Sequence, residues 1–181
     1  MAKVTKLKSR EGRAMAAALD TPTDISAIAV KKLSKALNGL LADTFALYLK
    51  TKNFHWHVSG PHFRSYHLLL DEQATEIYET TDAIAERVRK LGGTTLRSIS
   101  DITRHQSLTD NNAEFVAPLD MLKELMNDNK ATIASMRKIH DLCDKHEDVA
   151  TASLLENFID AAEKRNWFLF EASRGADSTG H

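Results

Sequence analysis

The sequence predicts an all-α protein, organised as a four-helix bundle with one long crossover between its second and third helices. The chain of 181 residues contains only 7 glycines and 3 prolines, so few residues interrupt long helices. Apolar residues recur at helical spacing in four segments, and no stretch alternates in the manner of a β-strand. A connection at residues 94–117 separates the first two segments from the last two. Such a connection can return the chain along a helix, so the second and third helices are expected to run parallel.

The element boundaries follow from capping and breaking residues. The four long helices are expected over about residues 25–57, 61–91, 118–143 and 149–173. Thr23 or Asp24 is expected to cap the first helix, because short polar side chains accept hydrogen bonds from free amides there. Pro61 suits the first position of the second helix, and the glycines at 92–93 end that helix. A short helix is expected within the crossover, around residues 100–107.

One domain, residues 24–174, is expected between two flexible tails at 1–23 and 175–181. The N-terminal tail carries five basic residues before position 15, against the single acid Glu11: Lys3, Lys6, Lys8, Arg10 and Arg13. Such a tail can bind DNA phosphates without sequence preference. It can equally fold back against its own acidic body, since the whole chain has a net charge of −1. Both alternatives stay open at this stage.

Composition also limits the cellular setting. The single cysteine, Cys143, allows no intrachain disulfide and suits a reducing compartment, where it is expected to be a small buried apolar residue. No apolar run approaches the roughly 20 residues of a membrane span. The basic N-terminus has no apolar segment behind it of the kind that a secretory signal requires. A cytoplasmic protein is expected, associated with the nucleoid if DNA is bound.

Histidines and acids on the second helix predict a metal site. Four of the eight histidines fall close together: His55, His57, His62 and His67. His67 and Asp71 are four residues apart and share one helix face, as do Asp82 and Glu86. Asp71 and Asp82 point in nearly the same direction, but eleven residues separate them by about 16 Å along the axis. Metal ligands lie within about 2–2.3 Å of the ion, so one helix cannot gather both pairs.

Two antiparallel copies of the second helix solve this problem. Across a two-fold axis, the His67 and Asp71 end of one subunit faces the Asp82 and Glu86 end of its partner. His55 continues a heptad at the end of the first helix, which folds back over the start of the second, so it joins this site. Two imidazoles and three carboxylates suit ferrous ions, with zinc as a possible substitute. The Glu-x-x-His motifs of an intrachain bundle site are absent from the candidate positions.

The pattern resembles the signature of the Dps family, the miniferritins of the ferritin-like superfamily. The resemblance covers about residues 25–174 and rests on these positions: His55-Trp56, Gly60, Phe63, His67, Asp71, Asp82, Glu86-Arg87 and Leu91-Gly92-Gly93. It implies a ferritin-like bundle and a hollow dodecamer with ferroxidase sites at the two-fold interfaces. It further implies storage of ferric mineral, hydrogen peroxide as the favoured oxidant, and protection of DNA from oxidative damage. The five donors would be both the metal ligands and the catalytic residues.

Other residues admit a structural and a functional interpretation. Trp56 is expected to pack in the core, and the resemblance adds a possible role as an electron relay beside the iron. His57 and His62 are expected at the surface, with auxiliary metal binding as the alternative. The acids at positions 144, 147 and 148 form either a solvated turn or a three-fold pore that concentrates cations: Asp144, Glu147 and Asp148.

Three functions compete on these grounds. The first is a ferroxidase and iron store, in which His67 and Asp71 are essential. The second is a non-specific DNA-binding protein of the nucleoid, acting through its basic tail with a secondary metal site. The third is a structural bundle that binds no metal and forms no closed oligomer.

Overall fold

The computed structural model describes residues 19–174, in which five helices are joined by loops and turns. They are α1 (Ala27–His57), α2 (Phe63–Lys90), α3 (Ile99–His105), α4 (Pro118–Asp144) and α5 (Val149–Ser173). No strand occurs within the described range. The predicted fold class is therefore confirmed, with α3 as the short helix of the crossover. The basic residues of the predicted DNA-binding tail, and residues 175–181, lie outside the described range.

Two apolar clusters fix the directions of the long helices. One contains residues from the beginnings of α1 and α5 and from the ends of α2 and α4, including Leu33, Leu155, Val88 and Cys143. The other joins the end of α1 to the beginnings of α2 and α4 and to Leu169 near the end of α5. Hence α2 and α4 run parallel, as the crossover predicts. In this part of the chain, no helix is both long enough and apolar enough to cross a membrane.

The start of α1 differs from the prediction. Ser26 is the N-cap, and its hydroxyl accepts a hydrogen bond from the amide of Ala29. Thr23 instead accepts from the amide of Ile25, which closes a local turn ahead of the helix. The expectation that Thr23 or Asp24 caps α1 was therefore wrong, because Ser26 has the extended backbone that an N-cap requires.

The ends of α2 also show how the turns are built. The prediction that Pro61 is its first residue was wrong, since the helix begins at Phe63. Gly60 has φ +99° and its carbonyl accepts from the amide of Phe63, so a tight turn precedes the helix. At the other end Gly92 has φ +88°, the left-handed conformation that terminates helices and favours glycine, as predicted.

The crossover is held against α1 by one buried acid. The Asp43 carboxylate accepts from the amide and the hydroxyl of Ser107, at 2.5 and 2.7 Å, and from the amide of Leu108 at 3.0 Å. Three donors compensate the cost of burying its charge. A second buried charge, Lys50, joins α1 to α4 through Glu124 at 2.9 Å and Asp128 at 2.7 Å.

Candidate metal centre

His55 and His67 meet at the turn between the first two helices. His55 lies in the last turn of α1 and His67 in the first turns of α2, and the helices pack antiparallel. Their rings stack with centroids 3.8 Å apart and an interplanar angle of 24°. His55 is 7% exposed, and Phe63 contacts the His67 ring with centroids 5.0 Å apart. The structure therefore brings together the two imidazoles that the sequence assigns to one site.

Reciprocal hydrogen bonds orient the two rings. Nδ1 of His55 lies 2.8 Å from the carbonyl oxygen of His67, and Nδ1 of His67 lies 2.9 Å from that of His55. A carbonyl only accepts, so each Nδ1 must carry the proton and donate it. Each neutral ring then has an unprotonated Nε2, the atom that can bind a metal. This arrangement matches the backbone bond that typically fixes a metal-binding histidine.

Asp71 lies next to these rings and is held by a lysine. Its Oδ1 is 3.8 Å from Nε2 of His55 and 2.5 Å from Nζ of Lys52. The hydrogen bond from Lys52 lowers the pKa of Asp71 below its usual value. Asp71 is therefore ionised at neutral pH. The Lys52 ammonium group neutralises this charge, as a bound metal ion would. Sequence reasoning missed Lys52, although it lies one helical turn before His55.

Asp82 and Glu86 are exposed on the far part of α2. Glu86 pairs with Lys90 at 2.9 Å across one helical turn. The five predicted ligands do not converge within one subunit. Among residues 19–174, a group of three potential ligands with all donor atoms within 4.8 Å occurs elsewhere, at the end of α4.

The interior of the bundle contains a cation instead of a carboxylate cluster. Arg165 is 6% exposed and lies on α5 between Ala162 of one apolar cluster and Leu169 of the other. Its Nε donates to Oδ1 of Asn129 at 3.3 Å, and Nη1 lies 3.5 Å from Glu76. Gln73 donates to the backbone carbonyl of Arg165 at 3.1 Å. A guanidinium at this position would repel a metal ion, which agrees with the absence of intrachain Glu-x-x-His motifs.

Several large apolar side chains on the second half of α1 and on α2 are exposed. The exposed ones are Leu49 (59%), Trp56 (58%), Phe63 (45%), Leu68 (47%) and Tyr78 (53%). Exposed apolar groups gathered on one face are typical of a contact surface. The expectation that Trp56 packs in the core was wrong for the single chain, because more than half of its surface is exposed.

Several further expectations concern single residues. His57 and His62 are exposed, as predicted, and Nδ1 of His57 is satisfied by the Asn53 carbonyl at 2.8 Å. Cys143 is fully buried in the apolar core, and burial raises the pKa of its thiol to about 12. It is therefore a core residue, as predicted.

The three acids of the turn before α5 differ in their exposure. Asp144 and Glu147 are exposed. Asp148 is 3% exposed, caps α5 through the amide of Thr151 at 3.1 Å, and lies 2.5 Å from Nη2 of Arg87. The assignment of Asp148 to a pore was therefore wrong, because its carboxylate is consumed by the helix cap and the buried ion pair.

Comparisons with known proteins identify the family of this fold. The profile of the ferritin-like domain family matches residues 34–172. The chain is 36% identical over 134 residues to an uncharacterised low-temperature-induced protein of Nostoc, covering 74% of this chain and 75% of that protein. It is 31% identical over 133 residues to the DNA protection during starvation protein of Brevibacillus brevis, covering 74% and 89%. The solved structure of Dps from Thermosynechococcus elongatus has a TM-score of 0.80 at 26% identity, covering 83% and 95%.

The bundle with its parallel α2 and α4 defines a protein of the ferritin-like class. Within that class, the chain belongs to the Dps family. This membership places it among proteins of iron storage and DNA protection.

Proposed function

We propose that the protein oxidises ferrous iron at dinuclear sites shared between two subunits and stores the ferric product inside a closed, dodecameric shell. The observation that carries this proposal is the half-site at the α1–α2 turn, where two imidazoles with free Nε2 atoms stand beside an ionised carboxylate. Nitrogen and oxygen donors of this kind bind ferrous ions and also stabilise ferric ions, so binding favours oxidation. Zn²⁺, which accepts the same donors, is proposed to compete for the site.

The second half of each site comes from a partner. Asp82 lies about 16 Å along α2 from Asp71, at 1.5 Å for each of eleven residues. An antiparallel partner helix puts its own Asp82 and Glu86 opposite His67 and Asp71, and the two-fold axis generates a second, equivalent site. The exposed apolar side chains of α1 and α2, among them Trp56 and Tyr78, support this interface, because contact would remove them from water.

The proposed reaction transfers one electron from each of two ferrous ions to hydrogen peroxide. The O–O bond breaks, both oxygens become part of hydrolysed ferric oxide, and water supplies the remaining oxygen while protons are released. Because the two electrons go to one peroxide molecule, no hydroxyl radical is released. This pairing of two metal ions is the chemical reason for a dinuclear site. Trp56, which is exposed and follows His55 in the chain, is proposed to reduce a stray oxidant.

Lys52 gives the half-site a built-in competitor. Its ammonium group neutralises Asp71 while no metal is bound, so ferrous iron must displace it. In the closed dodecameric shell, Asp144 and Glu147 are proposed to concentrate cations at three-fold pores.

Mixing two inactive variants tests the shared site. H67A/D71N lacks the histidine half, and D82N/E86Q lacks the acidic half. After joint unfolding and assembly in equal amounts, about one site in four combines two intact halves, if sites form across a two-fold axis. The initial rate of peroxide-driven ferric absorbance in stopped flow is expected to recover to that fraction of the wild-type rate.

The controls separate subunit sharing from other effects. Each variant assembled alone is expected to lack the fast phase, and mixing the two after assembly should not restore it. H57A changes an exposed histidine outside the site and should retain the full rate. A site contained within one chain predicts no recovery in any mixture. Full rates in H67A/D71N alone would remove these residues from the reaction.

Non-specific DNA binding is a second candidate function. It is favoured by the five basic residues among residues 1–15, which lie outside the described range, and by the name of the Brevibacillus brevis relative. Gel shifts with a variant lacking residues 1–15 test it. Binding should disappear in that variant and weaken steeply with salt in the intact chain. Binding that ignores both changes would contradict a role for the tail.

A further inference from the structure

A second group of nitrogen and oxygen donors lies at the opposite end of the bundle. His140, Asp141 and Asp144 occupy the last turn of α4, and their donor atoms all lie within 4.8 Å of one another. Nδ1 of His140 is 3.5 Å from Oδ2 of Asp144. Two ligands that are each about 2.1 Å from one metal ion lie roughly 3–3.5 Å apart at tetrahedral or octahedral angles. The distance between His140 and Asp144 therefore suits a shared ion, and Asp141 is near enough for a change of side-chain rotamer to bring it to the same ion.

A carboxylate from another helix orients the imidazole. Nε2 of His140 lies 3.1 Å from Oε1 of Glu156 on α5. If Nε2 carries the proton and donates it to Glu156, Nδ1 is left unprotonated beside the Asp144 carboxylate. This is the usual carboxylate–histidine–metal arrangement, in which the outer carboxylate fixes the ring and increases its basicity.

The local charge also favours a cation. Within residues 19–174, Asp144 and Glu156 form ion pairs with His140 alone, so no lysine or arginine of that range neutralises them. The last turn of α4 adds the partial negative charge of a helix C-terminus. A neutral imidazole can compensate neither charge, whereas a divalent ion can.

We propose that His140, Asp141 and Asp144 form a binding site for a first-row divalent cation, with Glu156 as a positioning residue. The imidazole distinguishes the site from a simple acidic patch, because a nitrogen donor favours Zn²⁺, Co²⁺ or Fe²⁺ over Mg²⁺ and Ca²⁺. The site shares Asp144 with the proposed pore but no residue with the proposed iron-oxidising centre, so it can exist without that centre.

Zinc binding tests the site in a background that lacks the iron-oxidising centre. In H67A/D71N, equilibrium dialysis against Zn²⁺ with excess Mg²⁺ is expected to show one high-affinity zinc per chain. Adding His140→Ala should remove that zinc, and the matched control His57→Ala should retain it. Adding Glu156→Ala should weaken binding about 10–100-fold, because only the orientation of the ring is lost. Anomalous diffraction at the zinc edge should place the ion beside Nδ1 of His140.

Three results would overturn the proposal. They are the absence of high-affinity zinc in the background variant, zinc retained after His140→Ala, and an anomalous peak away from α4. Helical circular dichroism and light scattering verify that each variant is folded and assembled. If His140→Ala fails either check, His140→Gln replaces it, since glutamine keeps a similar size without an imidazole nitrogen.

Discussion

Removal of the Asp148 carboxylate should destabilise the fold strongly, although the sequence around Asp148 predicts a turn at the surface. The side chain is 2% exposed and caps α5 through the amide and hydroxyl of Thr151. It also binds Nη2 of Arg87, whose Nε donates to Thr151 at 2.6 Å. One carboxylate therefore connects the end of α2 to the start of α5.

The size of the effect follows from these contacts. Loss of an N-cap costs about 1 kcal/mol, and loss of one partner from a buried ion pair costs about 3–5 kcal/mol. The two effects share the same atoms and do not add. Because Arg87 retains some access to water, at 18% exposed, we expect about 3 kcal/mol for Asp148→Ala. For a domain of this size, that corresponds to a decrease in Tm of about 6–12 °C.

Thermal unfolding at a fixed protein concentration measures this change, because assembly makes Tm concentration-dependent. Asp144→Ala is the matched control, since it removes the same charge from an exposed position in the same turn. Its effect should stay within about 0.5 kcal/mol, measured with a chelator present. Asp148→Asn retains a capping oxygen and should fall between the two.

A double-mutant cycle separates the ion pair from the cap. Asp148→Ala combined with Arg87→Met removes the unpaired guanidinium, so the double variant should be less destabilised than the sum of the single changes. Equal Tm values for Asp148→Ala and Asp144→Ala would refute the structural role. Additive losses in the cycle would refute the coupling to Arg87.

Three further predictions concern the core and the turns. Cys143, with a pKa of about 12, should resist thiol reagents at pH 8 in the native protein and react fully in denaturant. Gly93→Ala should cost about 1–3 kcal/mol, seen as a lower Tm, because the new Cβ would overlap the Ser34 hydroxyl. Burial lowers the pKa of Lys50, but bonds to its two carboxylates on α4 outweigh this and raise the pKa above 10.5. Its contribution to stability is therefore complete below pH 10.5 and lost as the pH rises through the folded-state pKa. Lys50→Met should lower Tm at pH 8, and the Tm of this variant should decrease less at alkaline pH than the wild-type Tm does.

The long helices were predictable because their signals are local. Apolar spacing and the glycines at 92–93 depend only on neighbouring residues, and the observed ends lie within about two residues of the predictions, as usual for helix termini. The cap of α1 was not predictable in the same way, since Thr23, Asp24 and Ser26 are all chemically suitable. Only the backbone conformation selects Ser26.

The candidate site was predictable in its composition more than in its surroundings. Helical periodicity and the tight turn bring His55 and His67 together, so the pairing needs no long-range information. Lys52 was missed because its contact with Asp71 joins α1 to α2 and depends on how these two helices pack. Asp148 was misassigned because burial depends on Arg87, which is distant in sequence and meets it only through packing of α2 against α5.

The buried Arg165 and the half-site at the α1–α2 turn have one physical explanation. A four-helix bundle can bind two metal ions along its axis only if carboxylates and imidazoles face inward from several helices. Here the corresponding space between the apolar clusters contains a guanidinium held by Asn129 and Glu76. Burial lowers the pKa of Arg165, but a guanidinium remains protonated in proteins, so it excludes divalent ions from the interior at any physiological pH. The proposed iron chemistry therefore uses an outer face of the bundle, where a second subunit would complete the ligand set and exclude water from the site. Replacing Arg165 would therefore destabilise the bundle without creating an internal iron site, because within residues 19–174 no histidine lines the small cavity beside Arg165.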